Sequence, residues 1–350
     1  MARAVAERAS RKSAPQTVDA DLSELWRAVG RSGPIARAMM SNLVVFRRAE
    51  TAAASRGRRR RDMPVDAVAA RHPSRVVLID HESTTADQAG SISAEVGIVA
   101  FGPQEARYGV ERIHVRSACP AAWLPSLVRR VIRGDLPTSI WWVDDLSQHP
   151  PEPPIVAMGR QLVYDSRQWD DVKRGVLALA PHIREREAST LRAERVMTES
   201  RHVDLADVNW RRLTPLRSAL ACAAENSDST LWRPEQMRVT HRPGDAALAW
   251  LLVGWLASRL EWPFATHPPV AEMKHAGDVV TLTMGAGGDE IRAVLEERRV
   301  MITRAGETRS AMGVPQEGEA DAVAAELHAL SHDACLHDAL SALLRTFRAA

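Results

Sequence analysis

Cysteine is scarce in this 350-residue chain: Cys119, Cys222 and Cys335 stand far apart, and no CxxC pair occurs. That excludes a disulfide framework and argues against a structural zinc site. Lysine is scarce too. Lys12, Lys173 and Lys274 are the only lysines among 46 basic residues, and 44 acidic residues leave a formal charge of +2. So even a balance disfavours a dedicated nucleic-acid binder. No apolar run approaches the ~18 residues of a membrane-spanning helix, and the opening MARAVAERASRKSAPQ lacks the hydrophobic centre of a signal peptide. A cytoplasmic location without a membrane partner is expected.

Motifs for chemistry are missing as well. There is no Walker-type loop and no Gly-x-Ser-x-Gly elbow, and Gly285-Ala-Gly-Gly288 lies between two strand-like runs, where it reads as a hairpin turn. His328, His332, Asp333, Cys335 and His337 form the densest set of potential ligands, but their spacing crosses a helix start and they read as solvent-exposed. His81-Glu82, at a strand end, is a weak acid/base candidate. No catalytic, cofactor-binding or metal-binding residue is nominated, and no cofactor is expected.

What is present is an alternation of strands and helices. Continuous apolar runs predict buried strands at 75–80 and 138–143, and period-2 alternation predicts one at Ile92–Phe101. Residues 111–116 follow too closely for a parallel crossover, so the sheet should be mixed. Stripes at helical spacing predict helices at 22–29, 65–69, 123–132, 169–183 and 208–224. Residues 35–40 also read as helical, 1–20 as a polar arm, and the arginine run 56–61 as a connector. The second half predicts strands at 237–241, 278–284, 290–295 and 299–303, with helices at 245–256, 321–330 and 333–347. The expected class is α/β: a mobile arm and short helix at 1–29, a mixed-sheet α/β domain at 30–185, a charged connector at 186–203, and a smaller α+β domain at 204–350.

Four segments, in order, carry a family resemblance: Ala38-Met-Met-Ser-Asn-Leu-Val-Val-Phe46, His72-Pro-Ser-Arg75, Asp135-Leu-Pro-Thr-Ser-Ile-Trp-Trp142, and residues 204–217, DLADVNWRRLTPLR. A weaker fifth is Arg160-Gln-Leu-Val-Tyr-Asp-Ser166. Together the segments resemble the OpcA family of glucose-6-phosphate dehydrogenase assembly proteins. The chain departs from the family's uninterrupted Asp-Leu-Asn-Trp, and Leu216 stands where the family usually has a tryptophan. The resemblance implies a non-catalytic assembly factor and allosteric activator whose partner is glucose-6-phosphate dehydrogenase. An alternative from the residues is a sugar-phosphate- or nucleotide-binding enzyme or sensor using Arg75, Arg160 and Arg217.

Trp and Arg dominate binding energy at interfaces, so Trp210, Arg211, Arg212 and Arg217, with Trp142 as an outlier, are the candidate docking residues. The competing reading has Trp210 plugging the seam between the two domains while the arginines cap acidic residues. Adjacent Trp141 and Trp142 on one strand must point to opposite faces.

Overall fold

The computed structural model describes residues 7–31, 33–49, 63–85, 90–193, 202–225, 232, 235–260, 270–272, 277–286, 289–329 and 332–349. The arginine run 56–61, residues 194–201 of the connector and Gly287-Gly288 lie outside them. Two sheets organise the chain. The first contains, in chain order, β1 (Glu7–Ser13), β2 (Ala36–Arg37), β3 (Ser41–Arg48), β4 (Ser74–Ser83), β5 (Ile92–Phe101), β6 (Tyr108–Cys119), β7 (Thr138–Trp142), β8 (Gln161–Tyr164) and β9 (Asp204–Asp207). Their spatial order is β1-β5-β6-β4-β3-β7-β8-β9, with β2 beside β6.

β3, β4, β6, β7, β8 and β9 are mutually parallel, while β5 and β1 add an antiparallel margin. Numbered by appearance, the six parallel strands lie in the order 3-2-1-4-5-6. That is the order of doubly wound dinucleotide-binding sheets, and it reverses between β3 and β7. Crossovers run through α2 (Val65–Arg71), α3 (Leu124–Val131), α4 (Pro153–Val156) and α5 (Val172–Ala193). Strands covered on both faces need apolar residues at successive positions. Leu43, Val44, Val45 and Phe46 meet that need, each with no exposed surface. Asn42 closes the turn ahead of β7: its Nδ2 donates to the Arg133 and Leu136 carbonyls and its Oδ1 accepts from the Arg133 amide.

One face of this sheet carries Val44, Phe46, Ile79, Ile140, Trp142 and Tyr164; the other carries Leu43, Val45, Leu78, Trp141 and Val163. Trp141 and Trp142 therefore divide between the two layers. The second face is covered by α2 and by α8 (Glu319–Ala329), a helix from the far end of the chain. Arg71 of α2 pairs with Asp321 of α8, His72 meets His328 edge-on at 4.6 Å, and Gln161 Nε2 donates to the Glu326 carbonyl at 3.0 Å.

The second sheet runs β11-β10-β12-β13-β14-β15, from β10 (Gln236–His241), β11 (Val270–Glu272), β12 (Val280–Ala286), β13 (Asp289–Leu295), β14 (Arg299–Arg304) and β15 (Glu307–Gly313). α6 (Thr214–Glu225) and α7 (Ala246–Leu260) pack on it, and α9 (Ala334–Ala349) crosses α7. At that crossing a Cβ on Gly254 would stand 2.5 Å from the Ala339 carbonyl oxygen, so the helices approach where a side chain is absent.

The chain is thus α/β, with a mixed first sheet and an antiparallel-rich second one. Several elements differ from expectation. Residues 7–13 form an edge strand on β5, because a polar sequence can fill a sheet margin that has water on its far side. α1 (Val18–Arg31) is locked behind it. Glu111 and Arg75, both without exposed surface, pair at 3.2 Å; Trp26 Nε1 donates to Glu111 at 2.9 Å and Arg75 reaches Asp19 at 2.7 Å. Residues 36–37 form β2 and not a helix, since their amides and carbonyls pair with β6. β9 joins the first sheet from beyond the connector, so the two-domain division at 204 is a proposal about folding units and not a line between sheets.

Candidate functional site: a salt-bridged cleft at the carboxyl ends of β8 and β9

Two of the segments that carry the family resemblance converge here, because β8 and β9 are parallel neighbours and both end at the same edge. Tyr164 and Asp207 are register partners. Asp207 is 1% exposed, and its Oδ1 accepts from the Ser166 amide at 3.1 Å and from the Asn209 amide at 2.9 Å. Its Oδ2 is buried and has no partner among the described residues. Burial is the main reason that the Asp207 carboxyl is pushed up to about 7, against the opposing hydrogen bonds from Ser166 and Asn209. Beside it, burial drives the Tyr164 phenol well above its ordinary range.

A polar chain leads outward from this carboxyl. Asn209 Nδ2 donates to Ser166 Oγ at 3.0 Å; Arg212 Nη1 donates to Asn209 Oδ1 at 2.9 Å and to Asp245 Oδ1 at 2.7 Å; Arg242 Nε donates to Asp245 Oδ2 at 2.6 Å. Asp245 is only 5% exposed, so both guanidinium groups are needed to offset its desolvation. Arg212 and Arg242 in turn line a cleft of about 700 Å³ between the two sheets.

Arg211 lines the same cleft and forks onto Glu317 at 2.8 and 2.9 Å, while also reaching Glu326 at 3.0 Å. These carboxylates raise the Arg211 pKa further, and burial raises that of Glu326. Arg167 completes the basic wall, bidentate on Asp165. Against these four arginines the walls hold Glu296, Glu297, Glu317, Glu319 and Asp321. The cleft therefore has no excess positive charge.

The remaining candidates lie behind the cleft or away from it. Trp210 is 3% exposed; its Nε1 donates to Asp333 at 2.8 Å, and Arg217 lies 3.9 Å over its ring. Burial lowers the Arg217 pKa. Trp142 is 1% exposed and stacks on Phe46 at 4.3 Å, in the core under β3 and β7. The structure thus brings Arg211, Arg212, Trp210 and Arg217 to one seam and leaves Trp142 apart. Arg75 is spent on Glu111, and Arg160 is exposed on the opposite edge of β8.

The histidines divide. His328 sits against α2, whereas His332 and His337 are half-buried, 5.4 Å apart, beside Asp204. His328 is exposed, as its spacing suggests, but His332 and His337 are not, because the start of α9 is packed against β9 and α5. No group of three metal-ligating side chains is assembled among the described residues. His81 is buried and Glu82 exposed, on opposite faces of β4, so they form no acid/base pair.

Residues 65–181 match the family described as glucose-6-phosphate dehydrogenase subunit N-terminal domain, and residues 203–340 match its C-terminal counterpart. This chain belongs to the OpcA family. It is 28% identical over 160 residues to the protein named OpcA from Nostoc punctiforme, covering 43% of this chain and 29% of that protein. With OpcA from Synechocystis sp. the figures are 23% over 220 residues, 59% and 42%. The chain thus spans less than half the length of either OpcA relative. Among solved structures, the UDP-N-acetylglucosamine 3-dehydrogenase GnnA from Acidithiobacillus ferrooxidans aligns at a TM-score of 0.37 and 13% identity, covering 88% of this chain and 97% of that one. Biliverdin reductase from Synechocystis sp. aligns at 0.40 and 9%, covering 89% and 99%. At those scores neither likeness carries an argument about this OpcA chain's ligands or activity.

Proposed function

We propose that this chain is a non-catalytic assembly factor that binds glucose-6-phosphate dehydrogenase and favours its active conformation or oligomer. The observation that carries this reading is the pair of family matches, in order, over 65–181 and 203–340 of one chain. The cleft supports it by its chemistry. Arg211 is held by Glu317 at a site that is 31% exposed on both sides, so a partner's carboxylate can replace Glu317, which is then rehydrated. Arg211 and Arg212 form the docking wall in this reading, and Trp210 with Arg217 hold it from behind.

An assembly factor works only through a difference in affinity. A partner that binds the active form of the dehydrogenase about 1.4 kcal/mol more tightly than the inactive form shifts that equilibrium tenfold, whereas equal affinities shift nothing. The test is to mix the purified proteins and follow NADPH formation together with sedimentation. A higher rate, tighter substrate binding or a changed oligomer supports the reading. Three unchanged quantities at saturating amounts of this chain overturn it.

A further inference from the structure

The carboxyl end of the first sheet has a second polar group, about β3 and β4, that the cleft does not use. Arg48 ends β3 and is the register partner of His81 on β4, so the two side chains share a face one strand spacing apart. His81 is 3% exposed, and its Nδ1 lies 3.1 Å from Ser117 Oγ. Among the described residues its Nε2 has no partner, and neither has the buried Nε of Arg48. In the tautomer in which Ser117 Oγ donates to Nδ1, the ring proton stands on Nε2, and both orphaned nitrogens are donors. Two buried, unpartnered donors on register partners call for an acceptor.

Charge points the same way. A guanidinium beside an imidazole is an unfavourable pairing unless an anion lies between them; burial first, and the Arg48 charge second, hold His81 below its ordinary pKa. The carboxylates nearby do not serve both groups. Glu152 touches only Arg48 Nη2, at 3.4 Å with both side chains about a third exposed, and Asp144 accepts from the Arg48 backbone amide at 2.8 Å while burial raises its own pKa. Arg47, Asp80 and His114 form a separate ion-paired set. The pair also borders the place where the strand order reverses, because β3 is one of the two strands, β3 and β7, that flank it, and open sheets of this order take ligands outside the carboxyl ends of their strands there. Arg48, 36% exposed, gives solvent access.

We propose that Arg48 and His81 bind a phosphoryl group beside this switch point, with one phosphate oxygen accepting from Arg48 Nε and another from His81 Nε2. The site stands apart from the docking cleft and does not rest on the assembly reading. No covalent step is involved; the ligand is a phosphate, free or carried by a sugar or nucleotide.

Calorimetry on the full chain, without any dehydrogenase, tests this with inorganic phosphate, a sugar monophosphate, ADP and acetate at constant ionic strength. Saturable binding of at least one phosphate compound is expected, and the tightest identifies the carrier. Arg48→Gln should weaken it at least tenfold, His81→Gln likewise, and Arg211→Ala in the cleft should leave it unchanged. The His81 ring, followed by NMR, should gain a proton as phosphate binds. The proposal is overturned if none of the phosphate compounds saturates, if acetate binds as well as phosphate, or if Arg48→Gln, at a partly exposed position, binds as the parent does.

Discussion

Arg217 lies 3.9 Å over the ring of Trp210, and that ring's Nε1 donates to Asp333 at 2.8 Å, so one indole joins the start of α6 to the start of α9. The same tryptophan is thereby a packing residue and the backing of the cleft wall formed by its neighbours Arg211 and Arg212. Trp210→Ala should cost about 3–5 kcal/mol of folding stability in urea titrations. Arg217→Gln should cost about 0.5–2 kcal/mol, the scale of a cation–π contact. Equal losses for the two would show that the indole is not the anchor.

Arg211→Ala separates docking from folding. Glu317 is exposed enough to be rehydrated when its partner goes, and adding Glu326→Gln removes the buried carboxylate that Arg211→Ala would leave unpaired, so the melting midpoint of the double variant should move little, whereas affinity for the dehydrogenase should fall by about 2 kcal/mol. The pair of measurements is a thermal melt and calorimetry with the purified enzyme. Full affinity in this variant would take the interface away from the arginine wall of the cleft.

Asp207 sets a pH dependence whose sign can be worked out. Its carboxyl is raised to about 7 in the fold and titrates near its ordinary value once unfolded. The folded state therefore holds the extra proton between those limits, and stability falls as pH rises through them, by up to about 1.4 kcal/mol per pH unit, then levels off above 7. Asp207→Asn keeps the acceptor at Oδ1 and removes the titration. Denaturant curves at pH 5, 6, 7 and 8 should slope for the parent and flatten for the variant; parallel curves would rule out Asp207 as the cause.

Cleavage in the connector tests the proposed division into folding units. Limited proteolysis should cut within 184–203, where the sequence has the poorest packing signals. The two pieces should nonetheless co-elute in gel filtration, because β9 pairs with β8 and α8 is seated on α2. Pieces that separate at once would mean that these contacts contribute little.

How far the sequence revealed this arrangement depended on the range of each interaction. β4 and β7 are legible because strands buried on both faces are apolar at successive positions, as at Val76–Ile79, and the opposite faces of Trp141 and Trp142 follow from the strand period alone. β1, β9 and β15 have no such signal. They are short or polar strands whose identity comes from the partner they pair with. Asp204-Leu-Ala-Asp207 becomes a strand only because β8 offers it a free edge. In the cleft, the individual residues of 160–166 and 204–217 stand out, but their convergence depends on the parallel pairing of β8 and β9 across a 22-residue helix. Arg48 and His81 are 33 positions apart and meet only through the β3–β4 register.

The seat of α8 on the first sheet has a consequence for synthesis. The apolar face of Leu43, Val45, Leu78, Trp141 and Val163 is complete once β8 has been made, yet its cover contains Val323 and Leu327. A ribosome must add more than 150 further residues, from the end of β8 at Tyr164 to the start of α8 at Glu319, before that cover exists. Throughout that interval the nascent chain presents the part of this face that α2 leaves uncovered, and chains terminated before Glu319 should be rescued from aggregation by supplying residues 319–329 as a separate peptide.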